Sequence, residues 1–410
     1  MRFFGNVQVG LQTPPPIPHT LPISLSALKP HYTHLLFSTG CTIPRLHPAL
    51  PPSDRVIPAL SFVHWYTQHP SRPTPPPLDE TEHVSIIGQG NVALDVARML
   101  LTPPRLLEKY DIPAPVLDVL RRSAVRHVSI IGRRGPLQAA FTTKELRELT
   151  TLEGTSMAPL SPELLAPPPT STKLSRQQSR ILQLLQQSSS AASGAAPPAT
   201  GTKTWSLDFF RSPTGFAPDG QHLTLAHTAL DERARAVPTG ATSLLRTDLV
   251  VTALGHHADP LQAYYDPSQG HLRTMSGRVA DATGRALPRV YASGWAATGA
   301  RGVLAATMID AYAVTDAILA DHHSSGNGSG TGTEVMPIHY PEDALVSDDV
   351  DLESVPREIE QGVKERRVVQ YDQWKKIDAE EVRRGEESGK ERERMGWEEA
   401  HEFLTSTRAW

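Results

Sequence analysis

Residues 83–101 read HVSIIGQGNVALDVARMLL. An apolar strand, a turn on two glycines and an amphipathic helix follow one another, the order in which a chain meets a dinucleotide pyrophosphate. Gly88, Gln89, Gly90, Asn91, Val92 and Ala93 carry the GxGxxA spacing. The first glycine permits the tight turn, the second lets backbone approach a phosphate, and the small Ala93 lets the helix lie close to its strand. The N–H groups that open the helix then face the anion. A glycine-rich turn with no ligand is the plainer alternative; the strand before and the helix after favour the binding motif.

The next strand, RHVSIIGRRGP at 126–136, selects the coenzyme. An NAD site presents a carboxylate to the ribose hydroxyls near the end of that strand. Here Arg133 and Arg134 stand instead, and guanidiniums suit the adenosine 2′-phosphate of NADP. A solvated surface pair is the alternative. About 45 residues separate Gly88 from Arg133, against about 20 in the usual unit; the proline-broken LLTPPRLLEKYDIPAPVLDVLRRSAV accounts for the excess as an insertion. FTTKELREL then begins a helix, with Thr142 or Thr143 offering the N-cap oxygen. A second glycine-rich turn, SGWAATGARGVL at 293–304, leads into another helix, whose positive end suits the pyrimidine edge of a flavin. A nicotinamide site and a flavin site on one chain imply hydride transfer.

Outward from these motifs, 410 residues suffice for two or three domains, and 39% hydrophobic with 20% charged residues is ordinary for a globular protein. A net charge of −4 gives no basic field and no argument for nucleic acid. The single cysteine, Cys41, excludes an internal disulfide and a cysteine-held cluster, and reads as a buried structural thiol. No apolar run approaches the roughly 20 residues of a membrane span, so any membrane contact would be peripheral. MRFFGNVQVG alternates like a folded strand rather than a targeting segment, and HYTHLLFSTG at 31–40 reads as a short strand. His256-His257 and His322-His323 lack partners at ligand spacing, and no metal is expected. Arg121, Arg122 and Arg211 suit either an acidic redox partner or plain solubility.

Residues 151–203 lose every period and read as a low-complexity insertion, mostly disordered, with one helical turn around Ile181–Leu185. SSGNGSGTGT at 324–333 is a flexible connector. In the charged tail, Trp374, Ile377 and Val382 lie near helical spacing, Asp378 and Glu381 resemble a capping box, and Gly385 is expected to stop the turn. A solvated helix docked by a few apolar residues is the expectation there, a partner-binding arm the alternative.

IIGQGNVALDVARMLLTPP, VSIIGRRGPLQAAFTTKELREL, WSLDFFRSPTG, SGW and GVLAATMIDAY together resemble the adrenodoxin reductases, flavin-dependent ferredoxin–NADP reductases of the glutathione-reductase-like type. The tail VKERRVVQYDQWKKIDAEEVRRGEESGKERER resembles that family as well. The resemblance implies an α/β fold with two Rossmann-like dinucleotide-binding domains, the FAD domain discontinuous and N-terminally incomplete. Its expected parts are 1–78, a remnant of the FAD domain; 82–255, the NADP domain carrying the 151–203 insertion; 256–323, the rest of the FAD domain; a linker at 324–340; and a charged helical segment at 341–410. It implies FAD and NADP as cofactors, and a ferredoxin/adrenodoxin-type 2Fe-2S protein as partner. It also implies a mitochondrial location on the matrix side. Gly88, Gln89, Gly90, Asn91 and Val92 would surround the NADP pyrophosphate, Arg133 and Arg134 the 2′-phosphate. Glu145 would lie near the nicotinamide as the catalytic carboxylate. Trp295, Gly302, Val303 and Leu304 would meet the flavin, Gly302 also the nicotinamide end, and the Val9 backbone the adenine of FAD.

The family opens with a GxGxxG strand and loop for the FAD pyrophosphate, followed by an acidic ribose ligand and a histidine paired with the carboxylate of Glu145. This sequence lacks them, and its flavin turn reads AATGAR, with Ala300 and Arg301 in place of a basic, proline-containing turn. Lost backbone bonds to a charged group cost about 1.5–3 kcal/mol each, so FAD would bind more weakly. The expectation is a truncated form of a working reductase; the alternative is an inactive NADP-binding remnant unable to hold FAD.

Overall fold

The computed structural model describes residues 1–10, 17, 19–166, 173–194, 201–326, 350–351 and 353–406. It divides into two compact units: Met1–Arg45, Gly255–Ile377 and His401–Trp410 in the first, Leu46–Leu254 and Asp378–Ala400 in the second.

The second unit carries, in chain order, β1 (Val56–Pro58), α1 (Ala59–Tyr66), β2 (His83–Ile87), α2 (Asn91–Leu101), β3 (His127–Gly132), α3 (Thr143–Thr150), β4 (Thr155–Met157), α4 (Arg176–Gly194), β5 (Lys203–Phe209), β6 (Arg211–Phe216), β7 (His222–Leu230), β8 (Ala236–Arg246) and β9 (Leu249–Thr252). Six of these strands form an all-parallel sheet in the order β1-β9-β2-β3-β5-β4. The two HVSII runs lie side by side, His83 opposite His127 through Ile87 opposite Ile131. Both are apolar on both faces because both faces are covered. Val84 and Ile86 pack in one core with Leu94, Ala97 and Leu100 of α2 and with Leu146 and Leu149 of α3. Ile87 and Ile131 meet Leu223 and Leu225 of the antiparallel sheet β6-β7-β8. Residues 46–78 belong to this unit and not with 1–45, because β1 pairs with β9, Val56 opposite Val250.

The 151–203 segment is more ordered than its composition suggests. Residues 167–172 and 195–200 lie outside the described residues, but α4 runs for 19 residues and buries Ile181, Leu182, Leu185 and Ser189. Few apolar residues suffice because the polar ones are used. The Gln178 and Gln186 amides donate to the carbonyls of Leu137 and Leu165, both at 2.9 Å, and Leu160 N donates to Ser189 Oγ at 2.8 Å.

In the first unit, strand Leu35–Phe37 lies parallel to β10 (Ala286–Ala292), with Arg278–Ala280 and Thr274–Met275 beyond it. Helix α5 (Leu304–Gly326) follows. Of the opening alternation, only Val7–Val9 forms a strand, parallel to Leu21–Ile23. The connector expected at 324–340 lies outside the described residues from 327 onward, and 324–326 complete α5.

Among its described residues the charged tail is docked by a few apolar residues, as expected, and by polar bonds besides. Ile359 and Val368 share a small core with Leu21 and Ile23. Helix α6 (Tyr371–Glu387) runs through Gly385 instead of stopping there. Gln373, not Glu381, makes the cap, accepting from Gln370 N at 2.6 Å. Trp374 is exposed, and the inward face is Gln373, Ile377, Glu381 and Gly385, one residue in four. Asp378 and Glu381 both accept from Arg392, at 2.6 and 3.1 Å, as the chain returns past them. Farther on, Lys390 Nζ donates to Ile112 O at 3.0 Å and Arg394 pairs with Asp111 at 2.5 Å. These bonds anchor the tail on the proline-broken excursion.

A Cβ at Gly385 would stand 2.5 Å from the Arg392 backbone N and Cα. Helix propensity alone predicts that Gly385→Ala gains about 1 kcal/mol. The packing predicts a net loss of about 1–3 kcal/mol, read as a fall of several degrees in melting temperature. A higher melting temperature would refute the close return of the chain.

Candidate functional site

The turn after β2 is set by contacts that tolerate no side chain. Gly88 has φ +130°, and a Cβ there would lie 2.2 Å from Ala253 O, at the end of β9. Its N–H donates to Ile131 O at 2.8 Å, tying β2 to β3. Gly90 is the N-cap of α2, with φ −108° and ψ 179° and nothing within 4 Å of where a Cβ would stand. The backbone is therefore accessible at the helix start, where the unbonded N–H groups and the helix dipole favour an anion. Gln89 lies across the end of β3, so close that a Cβ on Gly132 would meet its Oε1. The Gln89 carbonyl accepts from Ala140 N at 2.9 Å and Asn91 Oδ1 accepts from Thr142 N at 2.8 Å. The glycine turn is thus joined to the start of α3. Val92 packs against the core beside it.

Thr142 caps α3, accepting from Glu145 N at 3.4 Å. The Glu145 carboxylate turns onto α2 and accepts from Arg98 Nη2 at 2.8 Å; Asp95 and Glu148 bind the same guanidinium.

Arg133 and Arg134 follow β3 directly, both exposed. They share a hollow of about 440 Å³ with Arg233 and Arg235, from the turn between β7 and β8. The last two were not legible as site residues: only the pairing of β7 with its neighbours brings them to the end of β3. Burial, then the Arg133 charge, hold the nearby His47 below its ordinary value, so it adds no further cation at neutral pH. Arg121 is paired with Glu108 and Asp118, at 3.0 and 2.6 Å, which leaves it poorly suited to an acidic partner.

In the first unit, β10 leads through Ser293 into Gly294, whose φ of 64° and ψ of −145° only glycine adopts comfortably. Gly294 N and Ser293 Oγ donate to Asp310 Oδ2 at 2.6 and 2.9 Å, locking the strand end to α5. Asp310 escaped the sequence reading. Gly302 has φ +87° just before α5. Trp295, Val303 and Leu304 are exposed, Leu304 at 90%, around a helix start whose N–H groups have no intrahelical partner. That apolar, dipole-favoured surface fits a flavin ring. Val9 is exposed at the end of its strand, opposite Ile23. Among the described residues of this unit, no Gly-x-Gly turn joins a strand to a helix as Gly88–Ala93 does. Gly302 and the flavin-side residues belong to the first unit, Gly88–Val92, Arg133, Arg134 and Glu145 to the second.

Cys41 is buried, its Sγ donating to Trp295 O at 3.2 Å, and burial raises its thiol above the ordinary value. His256 and His257 form a short strand pair with Ile43–Pro44. Among the described residues, no group of histidine, cysteine and carboxylates has metal-binding geometry, and no helix is long and apolar enough to cross a membrane.

No protein-family model matches the chain. It is 35% identical to the mitochondrial NADPH:adrenodoxin oxidoreductase of Bos taurus over 410 residues, covering 96% of this chain and 76% of that protein. It is 29% identical to the NADPH-ferredoxin reductase FprA of Mycobacterium tuberculosis, covering 96% of this chain and 81% of FprA. The solved structure of that FprA in complex with NADPH superposes with a TM-score of 0.78 at 27% identity, covering 98% of this chain and 83% of that one.

Proposed function

The chain belongs to the NADPH:adrenodoxin oxidoreductase family, an oxidoreductase family of mixed α/β dinucleotide-binding fold, and from that premise we propose that it passes electrons from NADPH through FAD to a small iron–sulfur protein of ferredoxin type. The observation that carries the reading is the pairing of an accessible Gly90 backbone with Arg133 and Arg134 at the carboxyl ends of the neighbouring strands β2 and β3. In an open parallel sheet, ligands bind outside those strand ends.

On this reading the backbone from Gly88 to Val92 holds the pyrophosphate and the arginine pair the 2′-phosphate. Glu145 serves the nicotinamide end; Arg98 fixes its orientation. Trp295, Val303 and Leu304 keep water from the flavin ring. The N–H groups at Gly302 and the start of α5 favour negative charge there. The Val9 backbone receives the adenine of FAD. Bound FAD supplies the change from two-electron to one-electron transfer. The mitochondrial relatives support a mitochondrial setting; the matrix side, with peripheral membrane contact at most, is the finer part of the reading.

The test is the whole chain purified with FAD. A yellow protein that reduces a ferredoxin, or cytochrome through it, far faster with NADPH than with NADH is the expected result. A colourless protein that still binds NADPH would favour the second reading, an NADP-binding module without turnover.

A further inference from the structure

Resting on the assignment of the 2′-phosphate to Arg133 and Arg134, we propose that Arg233, on the hairpin turn between β7 and β8, is a third specificity-determining cation for that phosphate, held in place by Asp231.

The turn is fixed from within. Asp231 Oδ1 accepts from the backbone N–H of Arg233 at 3.0 Å and of Arg235 at 2.8 Å, and its Oδ2 accepts from Arg235 Nε at 2.8 Å. Ala234, at φ +55°, closes the turn with its N–H on Asp231 O at 2.9 Å. Backbone and guanidinium bonds hold the Asp231 carboxyl below the usual carboxylate range. Arg235 is thus neutralised and structural, whereas Arg233 donates only its backbone N–H to the same carboxylate.

The turn is also fixed from without. β7 is irregular between Ala226 and Thr228, and there the buried Thr228 turns its hydroxyl onto Arg133 O at 2.8 Å. Thr228 N donates to Phe210 O at 3.0 Å, and Phe210 N to Arg134 O at 3.3 Å. The backbone of the arginine pair and the base of the hairpin are therefore one hydrogen-bonded frame. A bulge re-aims a strand in this way next to a binding site.

Among the described residues, no carboxylate pairs with the guanidiniums of Arg133, Arg134 or Arg233, and no acidic residue lines their shared hollow. Three like charges around one concavity repel each other until an anion enters. A phosphomonoester dianion matches the hollow in charge and can enter it, with guanidiniums on two sides. An acidic protein surface needs a broad patch rather than a hollow, so the small phosphate is favoured.

The experiment measures binding of NADPH, NADH and 2′,5′-ADP to the full chain carrying Arg233→Glu, beside Arg133→Glu/Arg134→Glu and the parent. Arg233→Glu is expected to weaken NADPH and 2′,5′-ADP by about tenfold, to leave NADH within about twofold, and to leave the melting temperature unchanged, because the side chain is exposed. If NADPH binding is intact in Arg233→Glu but impaired in the double variant, the role of Arg233 fails and the arginine-pair site stands. If neither variant distinguishes NADPH from NADH, the site itself fails. Equal weakening of both coenzymes, or an effect confined to the ferredoxin, would also overturn the proposal.

Discussion

Replacing Arg133 and Arg134 together by glutamate is expected to raise the dissociation constant for NADPH by about 10²–10⁴-fold while leaving that for NADH within about twofold. On the proposed reading each guanidinium would make a charge-assisted bond to the 2′-phosphate worth about 1.5–3 kcal/mol, and the glutamates would add repulsion to a dianion. NADH carries no phosphate at that position and feels neither effect. The fold should be indifferent: both side chains are exposed, and what binds them to the rest of the unit is backbone, through Thr228 and Phe210. Raising salt should narrow the gap between the coenzymes in the parent, since exposed charges are screened beyond about 8–10 Å at physiological ionic strength. Titration of each coenzyme by nicotinamide fluorescence reads all of this. An equal loss for both would mean that the pair supports the turn rather than the phosphate.

What the sequence disclosed and what it concealed divide along a physical line. β2, its glycine turn and α2 were legible because each rests on local properties: a run apolar on both faces, a glycine at positive φ, and apolar residues three and four apart. The N-cap at Thr142 was legible for the same reason. Arg233 was not, because its place beside Arg133 is made by a strand that returns through Thr228, 95 residues on. α4 was hidden by composition. Glutamine and serine carry no hydrophobic signal, yet Gln178, Gln186 and Ser189 bond to backbone that would otherwise lie unpaired. In α6 the periodicity was right and the face only in part: Ile377 turns inward and Trp374 does not. Trp374 suggested an apolar seam, but the side that docks is the one where Gly385 leaves room and Glu381 receives Arg392 and Met395 N.

The two glycines of the turn are expected to fail in opposite ways. Gly88→Ala places a methyl 2.2 Å from Ala253 O at a φ of +130° that alanine avoids. The methyl meets backbone, not a movable side-chain tip, and that backbone is held by Ala253 N on Ile87 O at 2.8 Å. β2 and β9 must part, at a cost of about 3 kcal/mol or more. For a unit of this size the melting temperature should fall by about 10 °C. Gly90→Ala meets nothing within 4 Å, and its backbone lies where alanine is at ease. The conformational entropy lost by the unfolded chain stabilises the fold by about 0.4–1 kcal/mol and roughly offsets the poorer N-cap, so the melting temperature should barely move. Yet the methyl stands where a phosphate would approach the helix N-terminus, and NADPH affinity should drop by about 10–100-fold. NADH should drop with it, because both coenzymes carry the pyrophosphate. That shared loss separates the Gly90 effect from the arginine effect, which spares NADH. If Gly90→Ala bound both coenzymes like the parent, the anion would lie elsewhere and the GxGxxA turn would be only the hinge between a strand and a helix.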